Sequence, residues 1–78
     1  MSKDANRIEF YEKLEKCKTR TDIEGLIDII DNDELYAIMI DKYNQILEFN
    51  KKAVDSELVK DIIKILQYTY LEFEKNSR

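Results

Sequence analysis

The stretch from Leu35 to Phe49 constrains the fold of this chain more than any other. Wound as a helix, its apolar side chains cover an arc of roughly 200°, about twice the width of an ordinary surface stripe. In angular order they are Ile38, Phe49, Leu35, Ile46, Met39, Tyr43, Tyr36, Leu47 and Ile40. A helix with so wide an apolar face needs neighbours on two or three sides. We therefore predict a helix over residues 33–51 that lies at the centre of a small bundle.

A first helix is predicted over residues 4–18. Phe10, Leu14 and Cys17 follow the i, i+4, i+7 spacing of one helical face, and Asp4 is a candidate cap for its start. This spacing places Cys17 on the core face, where we expect a buried, inert thiol. Lysines at positions 13, 16 and 18 leave a reactive thiol as the alternative.

A second, short helix is predicted over residues 22–30. Thr21 and Glu24 have the spacing of a capping box, in which each side chain bonds the other residue's backbone N–H. Asp31 or Asn32 is the expected cap of the long helix that follows. Gly25 lies opposite the apolar stripe, so we expect an exposed glycine rather than a close approach of two helices.

The last helix is predicted over residues 56–75, with a cap near Asp55. Its apolar residues and Thr69 form one continuous face, which we assign to the core: Leu58, Val59, Ile62, Ile63, Ile65, Leu66, Thr69, Tyr70 and Phe73. Within this face runs a seam with strict 4-3-4-3 spacing, as in a coiled coil. The members of the seam are Val59, Ile63, Leu66, Tyr70 and Phe73. Packing inside the bundle and contact with a second copy both explain the seam. The second explanation would make the chain a structural homo-oligomer.

Composition supports one all-α, four-helix domain over residues 1–78 and limits its chemistry. The 78 residues include one glycine and no proline, so the usual turn chemistry of β-hairpins is missing. With no histidine and one cysteine, the common nucleophilic and zinc sites are excluded, and we predict a protein without enzymatic activity, metal or cofactor. We expect neither a membrane span nor a signal peptide, and a cytoplasmic location.

Acidic residues are concentrated in one part of the chain. Between Asp22 and Asp41 there are seven acidic residues (22, 24, 28, 31, 33, 34 and 41) and no basic one. Helix capping explains some of them. An acidic face for a basic protein partner explains the same residues, and its candidate members are Glu24, Asp28, Asp33 and Asp41. A calcium loop is disfavoured because the acids lack EF-hand spacing, and direct nucleic-acid binding is disfavoured by the net charge of −4.

The last helix offers a second candidate surface. Tyr68 and Leu71 lie three residues apart on its outer face, beside Lys64 and Lys75. They are either isolated exposed apolar residues, which are common, or an interaction site.

A series of short segments occurs in the order RIEFYEKLEKCKT at 7–19, IE at 23–24, ID at 27–28 and NDEL at 32–35. This order resembles the start of the Hha/YmoA haemolysin-expression-modulating proteins, over about residues 7–48. The family has an aromatic residue, a basic-Leu-x-basic-Cys-x-Thr segment and a Leu-Glu-x-x-Ile-Glu helix in the same order.

The resemblance implies a small bacterial four-helix protein that binds the oligomerisation domain of an H-NS-type nucleoid protein and so modulates transcription. Glu24 stands where the family has a partner-docking glutamate, whereas Tyr43 stands where it has a second partner-binding acid. The long tyrosine-rich last helix also departs from the short Trp-bearing helix of the family.

Residues 61–75, DIIKILQYTYLEFEK, are similar to a helix of class IIa bacteriocin immunity proteins. This second resemblance implies an immunity or phage-type inhibitor that acts through the outer face of its last helix. Of these alternatives we favour a protein-binding regulator that docks a basic partner.

Overall fold

A computed structural model describes residues 3–51 and 55–76, with side chains at 6–51 and 56–76. Within these ranges the chain forms four α-helices and no strand: α1 (Lys3–Glu15), α2 (Arg20–Asp28), α3 (Asp33–Phe49) and α4 (Asp55–Asn76). The predicted all-α four-helix bundle is confirmed. The caps predicted at Asp4 and Asp55 depend on side chains that lie outside the described residues.

The four helices are arranged as a ring in which each packs mainly against its two neighbours. The contacting pairs are α1 with α2, α2 with α3, α3 with α4, and α4 with α1, and the contact between α3 and α4 is the most extensive. The bundle is elongated, with extents of 40 × 21 × 18 Å. α3 therefore has two main neighbours, within the two or three that its wide apolar face predicted, but it is one of four helices in a ring and does not lie at its centre.

The apolar arc of α3 explains this outcome. Its middle is buried, at Leu35, Met39, Tyr43 and Ile46. Phe49, at the carboxyl end of the helix, is 83% exposed. Tyr36 is also exposed, whereas Ile40 and Leu47 pack against the core. The arc is thus somewhat wider than the surface that its neighbours cover.

A single apolar core joins all four helices. Among the described residues, its fully buried side chains are Leu14, Ile23, Ile27, Met39, Ile62 and Leu66. The seam predicted on α4 belongs to this core: Val59 and Leu66 are buried, and Ile63, Tyr70 and Phe73 pack against it. Packing inside the bundle therefore accounts for the seam, and the homodimer stays a prediction.

An aromatic cluster joins α1 to α4. The rings of Phe10 and Tyr70 lie 5.1 Å apart, and that of Tyr11 meets Tyr70 edge-on at 6.4 Å. The Arg7 guanidinium lies 5.4 Å from the centre of the Tyr11 ring, and its Nε donates to Glu74 Oε1 at 2.8 Å. Both charged side chains of this ion pair are mostly buried, at 21% and 14% exposure, so the pair helps to fix α4 against α1.

The capping box at the start of α2 lies two residues earlier than predicted. Thr19, not Thr21, is the N-cap: its hydroxyl accepts from the Asp22 N–H at 3.2 Å, and the Asp22 carboxylate accepts from the Thr19 N–H at 3.3 Å. The Lys18 N–H also donates to Asp22, at 3.1 Å. Meanwhile the carboxylate of Glu24, the expected box partner, bonds to Tyr43 instead. These contacts favour the earlier cap and lower the pKa of Asp22, mainly through the Lys18 bond.

Two other predictions about helix ends are settled by backbone contacts. The Asn32 side chain accepts from the Leu35 N–H at 2.9 Å, so Asn32 caps α3 as one of the two expected residues. The same helix ends at Phe49, with Asn50 as its C-cap, and not at residue 51 as predicted. Gly25 is exposed, and nothing lies within 4 Å of the place that a Cβ would occupy, which confirms the expected exposed glycine.

Cys17 is not on the core face of α1, because that helix ends at Glu15. It lies in the following turn, half-buried, with its thiol 3.4 Å from the Lys13 carbonyl oxygen. Burial, and secondarily the Asp22 carboxylate, raise the pKa of the Cys17 thiol. The raised pKa favours the protonated form of the thiol, and the inert thiol stays a prediction.

Residues 3–51 and 55–76 contain no helix long and apolar enough to cross a membrane.

Candidate partner-binding surfaces

The four predicted docking acids, Glu24, Asp28, Asp33 and Asp41, are all exposed. Glu24 and Asp28 lie one turn apart on α2, and the other two lie on α3. Asp33 and Asp41 are separated by about 12 Å along the helix axis, at 1.5 Å per residue. The acids thus lie on two adjacent helices.

Capping accounts for only part of the acidic segment. Asp22 belongs to the capping box of α2, and Asp33 and Glu34 lie in the first turn of α3, where its dipole favours negative charge. Asp28 lies in the last turn of α2, and Asp41 is in the middle of α3. The dipole does not favour a carboxylate at either of these two positions, so capping does not explain them.

Glu24 differs from the other docking acids because it has a structural role. Its Oε2 accepts a hydrogen bond of 2.6 Å from the hydroxyl of Tyr43, which also lies 3.5 Å from the Arg20 carbonyl oxygen. Burial and the neighbouring Glu24 carboxylate raise the pKa of Tyr43. The Tyr43 ring is 3% exposed, so this bond connects Glu24 to the core. Any role of Glu24 in docking has to coexist with this bond between α2 and α3.

The outer face of the bundle has an open groove between α3 and α4, with a volume of about 480 Å³. Its lining residues are Glu34, Ile38, Lys42, Ile65, Tyr68, Thr69, Glu72, Phe73 and Asn76. Ile65 and Tyr68 are 40% and 64% exposed, and Ile38 and Phe73 are half-buried beside them. Groups of exposed apolar side chains such as these often mark a binding surface.

Tyr68 and Leu71, which were predicted to form one surface on α4, have different surroundings in the structure. Tyr68 lies in the groove, where the Glu72 carboxylate one turn along α4 raises the pKa of Tyr68. Leu71 is half-buried and does not line the groove. Lys64 lies near Glu15 and Gln67 along a separate small groove between α1 and α4. Tyr68 and Lys64, which were predicted to share one surface on α4, therefore line two different grooves.

Sequence reasoning missed Ile38 and Ile65 as surface residues, because both belong to apolar stripes that were assigned to the core. Their positions at the edges of those stripes are the signal that could have identified them. Where two wide stripes meet side by side, the residues at the adjoining edges line a groove instead of entering the core.

The described residues contain no group of three or more acidic or cysteine side chains placed to hold a metal ion. Comparison with protein-family models, curated proteins and solved structures found no match to this chain. The fold and the two surfaces therefore define a class only: a small all-α four-helix bundle with an acidic segment on α2 and α3 and an apolar groove between α3 and α4.

Proposed function

We propose that this chain is a non-enzymatic regulator that docks a basic protein partner through the acidic residues of α2 and α3. The observation that carries the proposal is the exposure of Asp28, Asp33 and Asp41 within a segment, 22–41, that contains no basic residue. Complementary charge of this kind speeds association and discriminates against wrong partners. Asp28 and Asp41 add to the argument because capping does not explain them.

The variant Asp28→Lys/Asp33→Lys tests this proposal, since both side chains are exposed and the Glu24–Tyr43 bond is left intact. The matched control is Glu12→Lys/Glu15→Lys, which makes the same change in net charge at two exposed residues of α1. Wild type and both variants are used for affinity capture from a lysate of the source organism. We expect wild type and control to capture one basic protein that the Asp28/Asp33 variant loses.

Titration at different salt concentrations then tests the mechanism. Affinity for the captured protein should fall several-fold between about 50 and 300 mM salt, because exposed charges are screened over that range. The proposal is wrong if the Asp28/Asp33 variant captures the same proteins as wild type, or if the control loses them equally.

We further propose, from the resemblance to the Hha/YmoA proteins, that the partner is an H-NS-type nucleoid protein and that the chain modulates transcription. Glu24 supports this proposal only in part, because its carboxylate accepts a hydrogen bond from Tyr43, the residue that stands in place of the family's second docking acid. Calorimetric titration against the purified oligomerisation domain of such a protein tests it directly. Absence of binding at low salt would rule out this partner and leave the general proposal in place.

The second candidate is an immunity or phage-type inhibitor that acts through the α4 surface. The exposure of Tyr68, at 64%, favours it. An apolar contact of this kind should change little with salt, in contrast to acidic docking. A captured partner whose affinity is insensitive to salt and is lost in Tyr68→Ser would support this candidate over the first.

A further inference from the structure

We propose that the groove between α3 and α4 binds a basic amphipathic helix of the partner, with an apolar side chain of that helix seated over Ile38, Ile65 and Tyr68. This inference rests on the proposed function and adds the structural element of the partner that this chain binds. Three features of the groove lead to it: its apolar floor, its dimensions and its charge.

The apolar floor of the groove offers a place where an apolar side chain of the partner can be buried. Ile65 and Tyr68 are 40% and 64% exposed, although both line a concave surface where a partner side chain would be buried. Phe73 also lines the groove and is half-buried against the core. Binding energy in protein interfaces is concentrated on a few buried side chains, with tyrosine among the commonest. An apolar side chain inserted here would cover the exposed parts of Ile65 and Tyr68.

The dimensions of the groove fit a short helix. Its lining runs from Glu34 to Lys42 on α3 and from Ile65 to Asn76 on α4. At 1.5 Å per residue these stretches are about 12 and 16 Å long, or two to three helical turns. The described residues form no strand, so they offer no sheet edge on which an extended peptide could pair. A helix that lies between α3 and α4 is the regular mode of recognition that fits a groove of this length between two helices.

The charge of the groove selects a basic occupant. Glu34 and Glu72 line it together with one lysine, Lys42, so the charged side chains of the lining are acidic on balance. The whole chain adds a net charge of −4. Lysines or arginines beside the apolar anchor of the partner helix would meet Glu34 and Glu72. An acidic helix with the same apolar spacing would be repelled.

A designed peptide provides the test. The probe is a helix of leucine and lysine, roughly 14 residues long, with leucine at i, i+3, i+4 and i+7. One matched peptide replaces every lysine by glutamate, and a second is a scrambled sequence of the same composition. Binding is followed by the backbone amide shifts of the full chain and by calorimetry. The groove variant is Ile65→Ser/Tyr68→Ser, and the control is Ile8→Ser, which removes a 51% exposed side chain from α1.

We expect the leucine–lysine helix to shift amides that line the groove and the other two peptides to bind much more weakly. The groove variant should weaken binding by about tenfold or more, and Ile8→Ser by less than about twofold. Neither groove side chain belongs to the apolar core, so the variant should keep the amide spectrum of a folded bundle.

The inference is overturned if the glutamate or scrambled peptide binds equally well, or if the groove variant binds as wild type does. It is also overturned if the chain dimerises at high concentration and the groove variant restores the monomer, since a second copy would then occupy the groove.

The outcomes separate this inference from the proposed function. If Asp28→Lys/Asp33→Lys loses the lysate partner but the peptide does not bind in the groove, the proposed function stands and this inference is wrong. Groove-dependent peptide binding with an unchanged lysate partner supports the groove and overturns acidic docking.

Discussion

The hydroxyl of Tyr43 donates a hydrogen bond of 2.6 Å to the carboxylate of Glu24 and thereby joins α3 to α2. One partner is a buried ring, 3% exposed, and the other is an exposed acid that the sequence had assigned to docking. The bond gives Glu24 a structural role that neither charge patterning nor the resemblance to the Hha/YmoA proteins had indicated. A substitution of Glu24 would also break this bond, so its effect on docking could not be distinguished from its effect on stability.

Tyr43→Phe should lower the free energy of unfolding by about 1–2 kcal/mol, because a hydrogen bond to a charged group is lost while the ring remains. Chemical denaturation followed by circular dichroism measures the change. Tyr36→Phe is the control, since that side chain is 36% exposed, and it should change the free energy of unfolding by less than about 0.5 kcal/mol. Equal denaturation midpoints for wild type and Tyr43→Phe would contradict this account of the bond.

The same bond predicts a loss of stability at alkaline pH. Burial and Glu24 raise the pKa of Tyr43 in the folded chain, whereas the unfolded value is about 10. A raised folded-state pKa gives stability that is complete below the unfolded pKa and is lost as pH rises above it. Wild type should therefore lose stability above about pH 10, and Tyr43→Phe should lose less.

Urea denaturation of the two proteins between about pH 8 and pH 11 makes the comparison. Tyr68 and Tyr70, whose pKa values are also raised, are present in both proteins and contribute equally to the two curves. Parallel curves over the whole range would show that Tyr43 does not contribute to the alkaline loss.

The structural features that could be predicted from the sequence are those that depend on the periodicity of apolar residues along a single helix. The stripes through Leu35 and Met39 on α3 and through Ile62 and Leu66 on α4 predicted both helices and their buried faces. The Glu24–Tyr43 bond depends on which helices become neighbours, and no local pattern contains that information. The same holds for the groove, because the exposure of Ile65 depends on how far α3 covers the edge of its stripe.

The N-terminus of α2 was mispredicted for a local reason. Two overlapping pairs, Thr19 with Asp22 and Thr21 with Glu24, both have the spacing of a capping box. Tertiary contact decides between them, because Tyr43 binds the carboxylate of the second pair while the Lys18 N–H reinforces the first. Sequence therefore predicted the presence of the cap but not its position.

Thr19→Ala and Thr21→Ala should have clearly different effects. The first removes the hydroxyl that accepts from the Asp22 N–H, and loss of an N-cap costs about 1 kcal/mol. The second alters an exposed side chain within the first turn and should change the free energy of unfolding by less than about 0.5 kcal/mol. Thermal and urea denaturation of the two variants measure the difference. A larger loss in Thr21→Ala would restore the capping box originally predicted at Thr21 and Glu24.

Gly25→Ala should stabilise the chain by about 0.5–1 kcal/mol, because alanine restricts the unfolded chain and has the higher helix propensity. Gly25 lies within α2 without a positive φ, and the new Cβ would meet nothing within 4 Å. The reverse change at an exposed position of α3, Ala37→Gly, should destabilise by a similar amount. The combined variant should then unfold close to wild type, since the two sites lie on different helices and should act independently. If Gly25→Ala lowered the melting temperature instead, α2 would have to approach another surface at Gly25, and the glycine would have a role that the open space around it does not indicate.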